Sequence, residues 1–152
     1  MESNLTRFNN QLDALINNLK KFEGIGEDKT ILLFELKLNA IKSMNSKKPL
    51  ECFIKYVYPY KEQIMAKDES FFIGEERIQE ITQNLKKDDD PLINSLKEDD
   101  EFVLHHALNI QNHWQKNMTD KQRGLIWTYF QVLVKLAERY VMEKVDTSQL
   151  SM

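Results

Sequence analysis

A chain of 152 residues suits one domain with a core of its own. Its 41% hydrophobic and 30% charged residues match neither a disordered nor a membrane-embedded composition. The formal net charge of −3 comes with Lys and Arg interleaved among Asp and Glu. No basic stripe results, which argues against nucleic acid as a partner, because phosphate neutralisation carries most of that affinity.

Four Gly and three Pro are few breakers for this length, and their scarcity favours long helices. The one cysteine, Cys52, has no internal partner, so nothing implies an oxidising compartment. The polar start Met1-Glu2-Ser3-Asn4 does not read as a signal peptide. No apolar run approaches the ~18 residues that a membrane span needs. The expectation is a soluble, cytoplasmic protein with no membrane partner.

Leu5, Phe8, Leu12, Leu15, Ile16, Leu19 and Phe22 recur at spacings of three and four, which predicts a first amphipathic helix. Gly24-Ile25-Gly26 ends it. A second helix is predicted from near Asp28 to Met44, with Ile31, Phe34, Leu38 and Ile41 on one side. Leu32, Leu33 and Leu36 widen that apolar face, so burial on more than one side is expected. Pro49 is suited to the first turn of a third helix carrying Leu50, Phe53, Ile54 and Val57. Pro59 then kinks or restarts the chain. The following turns carry Tyr60, Ile64 and Met65 and stop near Lys67-Asp68-Glu69. Ser70 to Gly74 reads as an apolar connector whose rings, Phe71 and Phe72, plug the core.

Glu75 to Lys87 reads as a helix on Ile78, Ile81 and Leu85, and Asp88-Asp89-Asp90-Pro91 is a boundary with an Asp cap and a Pro at the first helical position. The acids from Glu98 to Glu101 suit the first turn of a helix reaching about Lys116, with Val103, Ala107, Ile110 and Trp114 inward. Thr119-Asp120-Lys121-Gln122 fits a capping box. The helix it opens is expected to run to about Val145, leaving a frayed tail over 146–152. No strand-like alternation, repeat or linker interrupts this series. The prediction is therefore an all-α, single-domain bundle over residues 1–152, of roughly six or seven helices, with the C-terminal helix central.

That last helix is apolar nearly all round, from Leu125 to Val141, with Thr128, Gln131, Lys135 and Glu138 as a narrow polar stripe. Two readings follow from such a pattern: a central core helix, or a helix with one side covered by a partner chain or a second copy. The aromatic residues Tyr56, Tyr60, Phe71, Phe72 and Trp127 are the candidate contact residues for a protein partner or for self-association.

Chemistry has fewer footholds. The three histidines, His105, His106 and His113, share one predicted helix, and Glu101 with His105 has the i,i+4 spacing of two metal ligands. A closed site would need further ligands from another helix, and the spaced Asp pattern of a calcium loop is absent from the acidic runs. Gly24-Ile25-Gly26 lacks the third glycine of a dinucleotide loop, and no Gly-x-Ser-x-Gly occurs. Cys52 sits among apolar neighbours, as a buried and inert thiol does. No catalytic residue and no cofactor are assigned.

Two stretches carry a resemblance. Pro59-Tyr60-Lys61-Glu62-Gln63-Ile64 with Lys67-Asp68-Glu69-Ser70-Phe71-Phe72, and later Leu125-Ile126-Trp127-Thr128-Tyr129-Phe130-Gln131-Val132-Leu133, resemble a group of small helical proteins encoded by nucleocytoplasmic large DNA viruses of algae and protists. Phe130 departs from the Leu expected at its place in the second motif. The resemblance spans roughly the last two-thirds of the chain, its motifs are packing motifs, and the group has no assigned function. It implies a viral origin, with host cytoplasm or virion as the location. The leading expectation is a non-enzymatic helical protein–protein interaction module, a virion component or an adaptor in infected cells. The alternative is a small helical enzyme or metal-binding protein that uses the Glu98–His113 helix.

Overall fold

The computed structural model describes residues 3–22 and 29–74, positions 76, 79, 80, 83, 84 and 87, and residues 114–116 and 118–150. Six α-helices and one 3-10 turn have described bounds, positions 76, 79, 80, 83, 84 and 114–116 are helical as well, and there is no strand among the described residues. The helices are α1 (Asn4–Lys21), α2 (Lys29–Met44), α3 (Lys48–Tyr56), α4 (Lys61–Met65), α5 (Ser70–Ile73) and α6 (Asp120–Leu150). The fold is all-α, as the spacing of apolar residues predicts.

Local chemistry sets most boundaries. Ser3 caps α1 by accepting the Thr6 amide at 3.1 Å. Pro49 stands in the first turn of α3, where its missing N–H costs nothing. The Thr119 hydroxyl accepts the Gln122 amide at 3.2 Å while the Gln122 side chain accepts the Thr119 amide at 2.9 Å. That reciprocal pair is the expected capping box, and it starts α6. The far end of α6 differs from expectation. The helix continues to Leu150, past the expected end near Val145, and no Gly or Pro in Asp146-Thr147-Ser148-Gln149-Leu150 stops it.

The end of α4 is a Schellman turn. The Asp68 amide reaches back to the Gln63 carbonyl at 2.8 Å and the Lys67 amide to the Ile64 carbonyl at 3.1 Å. Lys67 takes the left-handed conformation this turn requires, with φ 57°, at a position glycine usually fills. Asp68 Oδ1 then accepts the Ser70 amide at 3.0 Å, and the chain turns into α5. Ser70 to Ile73 is therefore a helical turn rather than an open connector.

Helix α6 is the centre of the bundle, with α1, α3 and α4 packed on it. α1 runs antiparallel to it. The Asn4 amide group donates to Glu143, and the Asn18 amide group donates to the Tyr129 hydroxyl at 2.7 Å. The two contacts are fourteen residues apart on each helix, so the register holds along the whole of α1. Phe8 and Leu15 from α1, Leu50 and Phe53 from α3, Ile64 from α4 and Phe71 from α5 bury against Ile126, Trp127, Leu133, Val134, Leu136, Ala137 and Tyr140 of α6. Aromatic contacts interlock them: Phe8 meets Phe53 edge-on at 5.2 Å, and Phe71 meets Phe130 at 6.0 Å. Gln131 belongs to the packing and not to a solvated stripe. Its amide group donates to the Ile64 and Met65 carbonyls, each at 3.3 Å, tying the last turn of α4 to α6.

Candidate interaction surface

α2 stands apart from the α6-centred core. It packs on α1 and α3 and forms an antiparallel hairpin with α1. The faces that meet are stitched by polar groups. Lys20 bonds both carboxylate oxygens of Glu35 at 3.0 Å, and Lys42 bonds both oxygens of Asp13 at 2.7 and 2.8 Å. The Asn9 amide group donates to the Ser46 carbonyl at 2.9 Å. These contacts step down α1 and up α2 by equal intervals, as one antiparallel register requires. Ile16 and Ile41 are buried, at 3% and 5% exposure, but belong to no part of the main core cluster.

With that face committed to α1, four described side chains on the opposite face of α2 point to solvent. Leu32 is 44% exposed, Leu36 68% and Met44 74%, and Ala40 is exposed between them. The four are spaced i, i+4, i+8 and i+12, so they form one ridge about 18 Å long at 1.5 Å per residue. The expectation that Leu32, Leu33 and Leu36 bury on a second side of this helix is not met at Leu32 and Leu36, and the Leu33 side chain lies outside the described residues. The ion pairs with α1 fix which side faces inward, and nothing among the described residues covers the other.

The aromatic residues singled out from sequence take other places. Trp127, Tyr56 and Phe71 are core side chains, at 4%, 8% and 7% exposure. They do not form a contact surface, because α6 and its neighbours enclose them. Trp127 stands edge-on to Trp114 at 5.4 Å. The Arg123 guanidinium holds that junction, donating to the Trp114 carbonyl at 2.6 and 2.9 Å and lying 5.9 Å from the Trp114 ring. Tyr60 is half-buried beside Phe71, and its hydroxyl donates to Glu80 at 2.9 Å. Phe72 is helical in α5, and its side chain lies outside the described residues.

Glu101 and His105, the candidate metal ligands, also lie outside the described residues, as does the rest of the Glu98–His113 segment. Among the described residues no three His, Cys, Asp or Glu side chains converge in the manner of a metal site. Cys52 is half-buried on α3. Two lysines are held above the ordinary ammonium value, Lys61 by its hydrogen bond to the Tyr58 hydroxyl at 3.4 Å and Lys144 by the neighbouring Tyr140, whose ring lies 4.8 Å from the ammonium. Both ammonium groups are solvated and already cationic at neutral pH, so the shifts create no general base. No helix among the described residues is long and apolar enough to cross a membrane.

Comparison of the chain with protein-family models, curated proteins and solved structures finds no match.

The ridge on α2 had no clear signature in periodicity, since the helix is apolar on several sides. A signal was nonetheless present. Antiparallel packing of α1 and α2 sets Lys20 against Glu35 and Asp13 against Lys42, and those opposite charges identify the inner face. Leu32, Leu36, Ala40 and Met44 are then left outside.

Proposed function

We propose that this chain is a non-enzymatic helical interaction module whose docking surface is the outer face of α2. The observation that carries this reading is the ridge Leu32, Leu36, Ala40 and Met44, apolar and exposed on a helix anchored to the bundle by its polar side. Leaving large apolar side chains in water forgoes about 1.5–3 kcal/mol for each that could be buried, and contiguous apolar surface of this kind marks sites of association. Deployment as a virion component or as an adaptor in infected cells is proposed from the resemblance of the Pro59–Ile64, Lys67–Phe72 and Leu125–Leu133 stretches to the viral group.

The test is affinity capture with the wild-type chain and with the double variant Leu36→Lys, Met44→Lys as baits in cells that express the protein. Both substitutions lie on exposed positions, so helicity and melting temperature should hold. A partner recovered in stoichiometric amount by the wild type and lost from the variant is expected. Equal recovery by both baits would overturn the assignment of α2 as the docking face.

A further inference from the structure

We infer that the outer face shared by α1 and α6 binds the phosphodiester backbone of a nucleic-acid duplex, without reading its sequence. This face is separate from the ridge on α2.

Along the chain Lys and Arg are interleaved with Asp and Glu, but the fold sorts the charges by whether they are answered. The described acids of α1 and α6 are all engaged. Asp13 bonds Lys42, Asp120 bonds Arg123 at 3.3 Å, Glu143 accepts from the Asn4 amide group, and Glu138 stands by the Lys61 ammonium of α4. On the cationic side, Lys20 bonds Glu35, Arg123 bonds Asp120, and Lys144 lies over the Tyr140 ring. Arg7, Lys21, Lys121, Lys135 and Arg139 remain. All five are exposed, and none forms an ion pair with a described acid.

These five share one side of the bundle. Arg7, Asn10, Asn17 and Lys21 are exposed at helical spacing on α1, and Lys121, Thr128, Lys135 and Arg139 on α6. Arg7 and Lys21 each follow by three residues an α1 side chain that bonds α6, Asn4 or Asn18, and Arg139 precedes Glu143 by one turn. Both stripes therefore flank the outer seam between the two helices. The antiparallel register sets Arg7 level with Tyr140, beside Arg139, and Lys21 level with Ile126, little more than a turn from Lys121. The cations thus gather at two ends, Arg7 with Lys135 and Arg139, and Lys21 with Lys121. Fourteen residues separate the ends on each helix, about 21 Å at 1.5 Å per residue.

The chemistry of the face selects its partner. A duplex carries one charge per about 1.7 Å of axis, so a span of about 21 Å faces about a dozen phosphates. Between the cationic ends lie Asn10, Asn17 and Thr128, whose amide and hydroxyl groups suit phosphate and sugar oxygens. A single strand would stack on exposed aromatic rings. The aromatic residue nearest this face among the described residues is Tyr129, half-buried with its hydroxyl bonded to Asn18. An anionic membrane takes a helix with a continuous apolar face. Here the exposed apolar side chains, Leu125 and Met142, stand seventeen residues apart.

The test is fluorescence anisotropy of labelled DNA and RNA duplexes of about 20 base pairs, titrated with the full chain from about 50 to 200 mM salt. Micromolar or tighter binding is expected at the low end, equal within a few-fold for two unrelated sequences. Log affinity should fall with log salt at a slope of about −4.5, for five phosphate contacts at about 0.9 each. The duplex bound more tightly is then the ligand. The double variant Lys135→Glu, Arg139→Glu should weaken binding at least tenfold and reduce the slope to about −2.7, with melting temperature unchanged. Lys47→Glu, Lys55→Glu makes the same change of charge at exposed positions on the α3 side, and should cost less than about threefold. No binding to either duplex at about 50 mM salt would overturn the inference, as would binding indifferent to salt. An equal loss in the α3-side variant would also overturn it, as would phosphatidylserine vesicles bound as tightly as the duplexes.

Discussion

Truncating Trp127 to Ala tests whether the chain itself encloses the aromatic centre of α6. The ring is 4% exposed and stands 5.4 Å from Trp114, which is 2% exposed. A tryptophan buries about 150–250 Å², which at ~25 cal/mol per Å² is a gross transfer term of about 4–6 kcal/mol. That is an upper figure, because the unfolded chain already hides part of the ring. Alanine retains a little of the contact, so the net loss should be about 3–5 kcal/mol, of which the edge-to-face pair with Trp114 supplies about 0.5–1.5. Against a total of about 5–15 kcal/mol for a typical domain, the variant should sit near its folding threshold. Urea unfolding provides the assay. Trp114 is the one remaining tryptophan in the variant, so its fluorescence reports the same junction, and circular dichroism reports the helices. Trp127→Phe keeps an aromatic ring and should lose less, which preserves a measurable variant if the alanine form does not fold. The shift should be independent of protein concentration. A loss under about 1 kcal/mol, or a loss that appears only where the wild type is dimeric, would refute the placement of this ring in the core.

Four further substitutions, at three positions, probe the contacts that place α4 and α5. Gly74→Ala should destabilise by about 1–3 kcal/mol in a thermal melt, since its Cβ would stand 2.5 Å from the Ser70 carbonyl oxygen and the backbone must move. Lys67→Gly should stabilise by about 0.5–1 kcal/mol by removing the cost of a left-handed lysine, and a loss would contradict the turn geometry. Gln131→Leu should cost about 1 kcal/mol by freeing two carbonyls, and Gln131→Glu about 1–3 by turning an acceptor toward them. The carboxyl introduced in that second variant would have its pKa raised in the folded state. Its penalty should therefore be full at neutral pH and shrink as the pH falls toward about 4, where protonation restores a donor.

The bundle was largely legible in the sequence because its signals are local. The Thr119–Gln122 box, the Pro49 start, the apolar stripe of α1 and the greasy circumference of α6 each follow from a few neighbouring residues. What periodicity could not decide was which apolar side chains find a partner within the chain. Leu15 and Leu36 both sit on strongly apolar helical segments, yet one is 6% exposed and the other 68%. Burial is settled by tertiary placement, and for α2 that placement is written in charge rather than hydropathy. Gln131 was misread for a related reason. A polar residue on an apolar helix looks solvated unless the orphan carbonyls at the end of α4 are known to lie against it.

Those charges give a final prediction, and it bears on why α2 exposes apolar side chains at all. Rolling α2 by half a turn would carry Leu32 and Leu36 toward α1. It would also withdraw Glu35 from Lys20 and Lys42 from Asp13, and separate Ile41 from the side of α2 that faces α1. Each ion pair is partly exposed and contributes only about 0–1 kcal/mol. Their weight lies in the alternative, where four charges lose their partners as apolar groups close over them. Lys20→Glu alone sets two carboxylates against each other and should cost about 1 kcal/mol or more. The reciprocal pair Lys20→Glu, Glu35→Lys should return to within about 0.5 kcal/mol of the wild type. If the single change leaves both stability and the protease resistance of α2 untouched, the ion pairs do not hold this face inward, and the exposed ridge loses its physical cause.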